Sequence, residues 1–139
     1  MVAAATLGAC GGAGPVALAP PTPGPSAAAP CARLRAALPS TVADHSRRDT
    51  DPSSTYTAAW GDPAVTLLCG TRPPNRPLSG DLLTIDRVSW LANRQGDVLT
   101  WVTVGRRVTV EVDVPMAYDD QDAIVADLSA AVARALPTR

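Results

Sequence analysis

The side chains best able to do chemistry in this chain are few, and their spacing excludes most of what they could do. His45 is the only histidine, so a Ser-His-Asp or Cys-His site would have to be built around it. Its neighbours Asp44, Ser46, Arg47 and Arg48 form a polar stretch, which reads as an exposed histidine in a surface loop. The three cysteines, Cys10, Cys31 and Cys69, lack Cys-x-x-Cys spacing, which argues against a zinc centre and against a redox-active pair. Asp119-Asp120-x-Asp122 has neither the spacing nor the glycine of an EF-hand loop, and capping of a helix explains it. Twelve aspartates and a single glutamate give no positive support for carboxylate-pair hydrolysis. Gly11-Gly12 follows no strand-like run, so it is not a phosphate loop. No catalytic residue, metal ligand or cofactor is therefore expected. The one candidate binding surface is Trp60-Gly61-Asp62-Pro63, where an indole beside a flexible glycine and a turn-forming Asp-Pro can be displayed. Arg72 and Arg106 are possible further donors. The alternative is that Trp60 fills the core near Cys69, since Phe is absent and three tryptophans supply the large aromatics.

With 139 residues and a net charge of -1 the chain is sized for one domain. Its 12 basic and 13 acidic residues nearly cancel, so it has no counterion-releasing surface and nucleic acid is not an expected partner. No apolar run approaches the roughly 18 residues of a membrane span. All 25 charges lie at or beyond Arg33. Residues 11–30 combine six prolines with small residues, a composition that reads as a flexible linker. Extended as polyproline II it could reach roughly 60 Å.

Ahead of that linker, residues 1–10 end in Leu7-Gly8-Ala9-Cys10, which resembles the lipobox of a bacterial lipoprotein. The stretch lacks the positive n-region and the length of a secretory leader, so it reads as a truncated signal peptide. Acylation of Cys10 would account for the odd cysteine count. Cys31 and Cys69 would then be left to form one disulfide, closing a loop of about 39 residues at roughly 4 kcal/mol of stabilisation. Two buried free thiols in a reducing compartment are the alternative.

Residues 31–139 read as a single α+β domain. Cys31, Leu34 and Leu38 share one face of a short helix that Pro39 stops. Ala64–Gly70 reads as a strand, as do Tyr56–Trp60 and Leu82–Leu91; the last has Leu83, Ile85 and Trp90 buried, with a bulge or turn at Asp86-Arg87. Arg47–Ser54 reads as a solvated loop. Val98–Val114 alternates strongly enough to predict two antiparallel strands about Gly105. A two-residue turn there would face Trp101 with Val110. A three-residue connection would put all the valines on one face, and the reading favours it. Beyond Pro115, with Asp119 or Asp120 as N-cap, a helix is predicted to about Leu136 on the stripe Ile124, Leu128, Val132 and Leu136. The expected architecture is an antiparallel sheet of about four to five strands, with a short N-terminal and a longer C-terminal helix packed on one face.

The order Cys31 to Pro39, Ala59-Trp60-Gly61-Asp62-Pro63, Leu68-Cys69-Gly70, Val88-Ser89-Trp90, Gly105-Arg106, Val110-Glu111-Val112 with Pro115 and a closing helix resembles actinobacterial envelope lipoproteins classed as domain of unknown function 3515. The resemblance covers residues 31–138. It implies a secreted or lipid-anchored domain with Cys31 bonded to Cys69 and no assigned activity. The expectation is an exported domain at the extracytoplasmic face of the cell membrane, lipid-anchored through Cys10, or secreted if not lipidated. It would act as an interaction or structural module without evident catalysis, with the membrane and an envelope protein or the cell wall as partners. The alternative is a small envelope ligand-binding module or enzyme with a cleft near Trp60 and Arg106.

Overall fold

The computed structural model describes residues 14–72 and 80–139; the lipobox and Cys10 lie outside the described residues. In chain order the elements are Val16–Ala17 (β1), Ala28–Ala37 (α1), Thr41–Val42 (β2), His45–Arg48 (β3), Thr50–Asp51 (β4), Thr57–Trp60 (β5), Val65–Thr71 (β6), Asp81–Ile85 (β7), Val88–Gln95 (β8), Val98–Val104 (β9), Thr109–Pro115 (β10) and Gln121–Ala135 (α2). The architecture is α+β, as the patterning predicts. Its antiparallel sheet has eight strands in the order β2-β3-β5-β6-β10-β9-β8-β7, more than the four to five expected. Two four-stranded meanders are joined at their centre by β6 and β10.

The extra strands come from segments whose sequence does not advertise them. His45-Ser46-Arg47-Arg48 has no apolar alternation, yet it pairs with β5 through Arg47↔Trp60 and Arg48↔Ala59. Leu82–Leu91 is two strands, because Asp86 and Arg87 adopt φ of 47° and 65° and close a tight hairpin between β7 and β8. As the sheet's edge, β7 leaves Leu82 63% and Leu83 39% exposed, so Leu83 is not the core residue expected and Ile85 is only half-buried.

The favoured all-valine register of the β9–β10 hairpin is incorrect. Trp101 pairs with Val112 and Val102 with Glu111, so the connection is longer than either turn considered. Its parity puts Trp101 and Thr103, not Val102 and Val104, on the face of Val110, Val112 and Val114. Burial explains the choice: Trp101 is 2% exposed and Val104 45%, and an indole removes far more apolar surface from water than a valine. Thr103 adds to it by accepting the Val110 amide at 2.9 Å through its hydroxyl.

One face of the sheet carries the row Ala58–Leu67–Val112–Trp101–Ala92 and the row Cys69–Val110–Thr103–Trp90. Against it lie Ile124, Leu128, Val132 and Leu136 of the predicted stripe, each at most 1% exposed. Trp90 donates its indole N–H to Ser129 Oγ at 2.8 Å, and Ser129 donates to the Val125 carbonyl, so the buried polar atoms at this contact are satisfied. Asp120 occupies the N-cap position of α2 but makes no side-chain cap.

Of the flexible linker expected over residues 11–30, the described part, 14–30, carries regular structure. Val16–Ala17 pairs with Thr50–Asp51 in a parallel ladder, Pro25–Ala27 forms a 3-10 turn and α1 begins at Ala28. Gly70 has φ +88°, and a Cβ there would meet Pro23 at 2.7 Å. Proline rings thus pack where the strand carries no side chain. The domain begins by Val16, and Arg47–Ser54 is ordered by the same contacts.

Candidate functional site

Cys31 sits on the buried face of α1 and Cys69 on the inward face of β6; both are at most 1% exposed. Their Cα atoms are 5.8 Å apart and the sulfurs are bonded, so the disulfide fixes the N-terminal helix to the centre of the sheet.

Trp60, Asp62, Arg72 and Arg106 do not form one surface. Trp60 is fully buried and donates its indole N–H to the Pro39 carbonyl at 3.1 Å, which is the core-filling alternative. It pairs with Val65 at one end of β6, whereas Thr71 at the other end pairs with Thr109. Trp60 and Asp62 therefore lie at one end of the sheet, and Arg72 and Arg106 at the other. Asp62 and Arg72 are exposed. Arg106 is 8% exposed and donates to the carbonyls of Leu136 at 2.7 Å and Arg87 at 3.0 Å, so it is a brace between α2 and the β7–β8 turn. The hollow of about 520 Å³ beside it, lined by Asp86, Arg87, Arg106 and Arg134, is floored by that brace.

His45 is not a loop histidine. It lies half-buried on β3, with Nε2 3.0 Å from Asp120 Oδ2 and its ring 4.5 Å from that of Tyr118. The Tyr118 hydroxyl donates to the Pro63 carbonyl at 2.6 Å. Burial, with the carboxylates of Asp62 and Asp120 nearby, pushes that phenol above its ordinary range. A Cβ on Gly61, at φ +73°, would meet the same hydroxyl at 2.6 Å, which is why the Trp-Gly-Asp-Pro turn needs its glycine. Among the described residues no serine or cysteine bonds to His45, so the cluster ties β3 and the β5–β6 turn to the start of α2. No group of three or more metal-ligating side chains occurs among the described residues.

Sequence reasoning missed a polar hollow of about 460 Å³ lined by Arg35, Arg47, Arg48, Asp49, Thr50, Ser53 and Thr57. Arg35 donates from α1 to the carbonyls of Ser54 at 2.5 Å and Thr57 at 3.1 Å. Arg48 donates to Gly61 at 2.8 Å and Gly14 at 2.6 Å. Arg47 holds its guanidinium carbon 5.2 Å from the Trp60 ring centroid. No arginine–carboxylate ion pair occurs among the described residues, so none of the three arginines is neutralised by a described carboxylate. The dibasic Arg47-Arg48 was the sequence signal, but the approach of Arg47 to Arg35 depends on the unforeseen pairing of β3.

The model of one protein family, described as "Protein of unknown function (DUF3515)", matches residues 1–139. No curated protein and no solved structure matches the chain.

Proposed function

The chain belongs to the DUF3515 family, and we propose that it is an exported, lipid-anchored domain of the cell envelope that works as a binding or structural module. The observation carrying this reading is the buried Cys31–Cys69 disulfide, because such bonds persist in oxidising compartments and are rare in the cytosol. It leaves Cys10 as the odd cysteine, behind the lipobox-like Leu7-Gly8-Ala9. An acylated Cys10 would hold the domain close to the bilayer. Five residues separate it from Val16, and at about 3.3–3.6 Å per residue the span is at most about 20 Å.

Nothing in the geometry favours the alternative cleft between Trp60 and Arg106, which occupy opposite ends of the sheet. The test is incorporation of labelled fatty acid into the protein expressed in its own cells. Label on the parent and none on a Cys10→Ser variant is the expected outcome. Equal labelling of the two, or none on either, removes the anchor. Quantifying thiols before and after reduction checks the compartment, since two reduced thiols at Cys31 and Cys69 in protein trapped in the cell would remove export.

A further inference from the structure

We infer that the hollow between α1, β3 and β5 is a binding site for a phosphate-bearing anion, held by Arg35 and Arg47. Two guanidinium groups, Arg35 and Arg47, meet one carboxylate, Asp49, at this lining, a local excess of positive charge in a chain whose net charge is -1. The cations are already positioned. Carbonyls hold Arg35 and the Trp60 face holds Arg47, so little side-chain entropy is lost when a ligand arrives.

Arg47 is also under-used: its side chain makes no hydrogen bond among those described. Burial first, and then the like charge of Arg35, push the Arg47 guanidinium below its ordinary range, with Asp49 opposing. An anion bound between them relieves that repulsion. Guanidinium forks converging from two elements, with the Ser53 hydroxyl beside them, suit an anion that accepts hydrogen bonds in several directions, as phosphate does. The hollow is of ligand size.

Two sources supply such a group: a soluble phosphate ester or the headgroup of an anionic phospholipid. The anchored reading bears on the choice. Val16, six residues from Cys10 and so at most about 20 Å of chain away, donates its amide to the carbonyl of Asp49, which lines the hollow.

The test uses the full chain with its disulfide intact and Cys10→Ser in place, so that its outcome does not depend on acylation. Glycerol 3-phosphate is titrated by calorimetry. Flotation with phosphatidylcholine vesicles, with and without phosphatidylglycerol, probes the headgroup. Binding in either arm is expected, weakened about tenfold or more by Arg47→Gln, the loss of one charge-assisted contact. Arg47→Lys keeps the charge beside Trp60 but not the fork, and is expected to weaken binding severalfold with the thermal midpoint held. Arg33→Gln, on the exposed side of α1, should leave binding unchanged. Binding of the ester identifies a soluble ligand; binding confined to phosphatidylglycerol vesicles identifies the headgroup. No binding in either arm, no loss with Arg47→Gln, or an equal loss with Arg33→Gln overturns the site.

Discussion

Replacing Arg106 by Met separates a brace from a surface donor. The guanidinium is 8% exposed and gives one N–H to the Leu136 carbonyl at 2.7 Å and another to the Arg87 carbonyl at 3.0 Å. Leu136 follows the last turn of α2, where carbonyls lack partners within the helix and a positive charge is favoured by the helix dipole. Each hydrogen bond from a charged donor contributes about 1.5–3 kcal/mol. Methionine restores apolar burial but strands both acceptors, so we expect a net loss of about 3 kcal/mol. That is a large part of the roughly 5–15 kcal/mol that holds a domain folded, and it corresponds to a fall in Tm on the order of 10 °C. Urea unfolding followed by tryptophan fluorescence measures it, with the midpoint lowered and the slope unchanged. Arg106→Lys should recover part of the loss, since a lysine is a point donor and not a planar fork. A midpoint within about 0.5 kcal/mol of the parent for Arg106→Met would refute the brace, for that is what an ordinary surface position gives.

Three more outcomes follow from the core and the open face of the sheet. Replacing both Cys31 and Cys69 by Ser should lower stability by about 4 kcal/mol, from the entropy of the loop they close, read as the difference between oxidised parent and variant in urea. Trp101→Ala should cost about 3–5 kcal/mol while Val104→Thr changes the urea midpoint by less than about 0.5 kcal/mol; the reverse order would restore the all-valine register. Glu111 lies in the outward row Leu82–Leu91–Val102–Glu111–Leu68, and burial there, with Asp113 beside it, raises its carboxyl above the usual range. The folded state then binds a proton more readily than the unfolded chain, so this residue's contribution declines as pH rises through that window. Glu111→Gln should therefore be the more stable protein in urea at neutral pH, with the gain fading as pH falls toward the ordinary carboxylate range and absent below it.

What could be read from the sequence was what repeats locally. The stripe of α2 and the alternation of β10 require only a period and a partner surface, and both formed as expected. The register between β9 and β10 was not legible, because the pattern of each strand is compatible with two faces. The choice is made across the layer, by whether Trp101 or Val102 and Val104 meet Leu128 and its neighbours. β3 was hidden for a related reason. Its residues are polar, and what makes it a strand is the edge offered by β5. The arginine-lined hollow inherits that difficulty, since Arg35 and Arg47 are brought together only once β3 has paired and the disulfide has fixed α1. Trp60 illustrates the opposite case, where an aromatic next to a turn looks exposed in one dimension but its indole N–H finds a carbonyl at Pro39.

The N-terminal segment shows how a composition that argues for disorder can still be ordered, and the consequence is functional. Residues 14–30 carry no charge and little apolar bulk, so they cannot fold by burial on their own. They dock through backbone hydrogen bonds, Val16 to the Asp49 carbonyl at 2.8 Å and Leu18 to the Asp51 carbonyl at 3.1 Å, and through Pro23 against the bare Cα of Gly70. Prolines help, because a chain already restricted in φ has less entropy to lose on docking. Were these residues free, an anchor on Cys10 would let the domain range roughly 60 Å from the membrane. Docked, they would cut that reach to about 20 Å and, with Cys10 acylated as proposed, would turn toward the bilayer the side where Arg48 holds the Gly14 carbonyl. Weakening the dock with Gly70→Ala, which sets a methyl against Pro23, should therefore lengthen the reach of an anchored domain without moving its lipid. Distance measurements between a label on the exposed Arg134 position and the bilayer surface would detect the change, and an unaltered distance would mean that the segment does not hold the domain down.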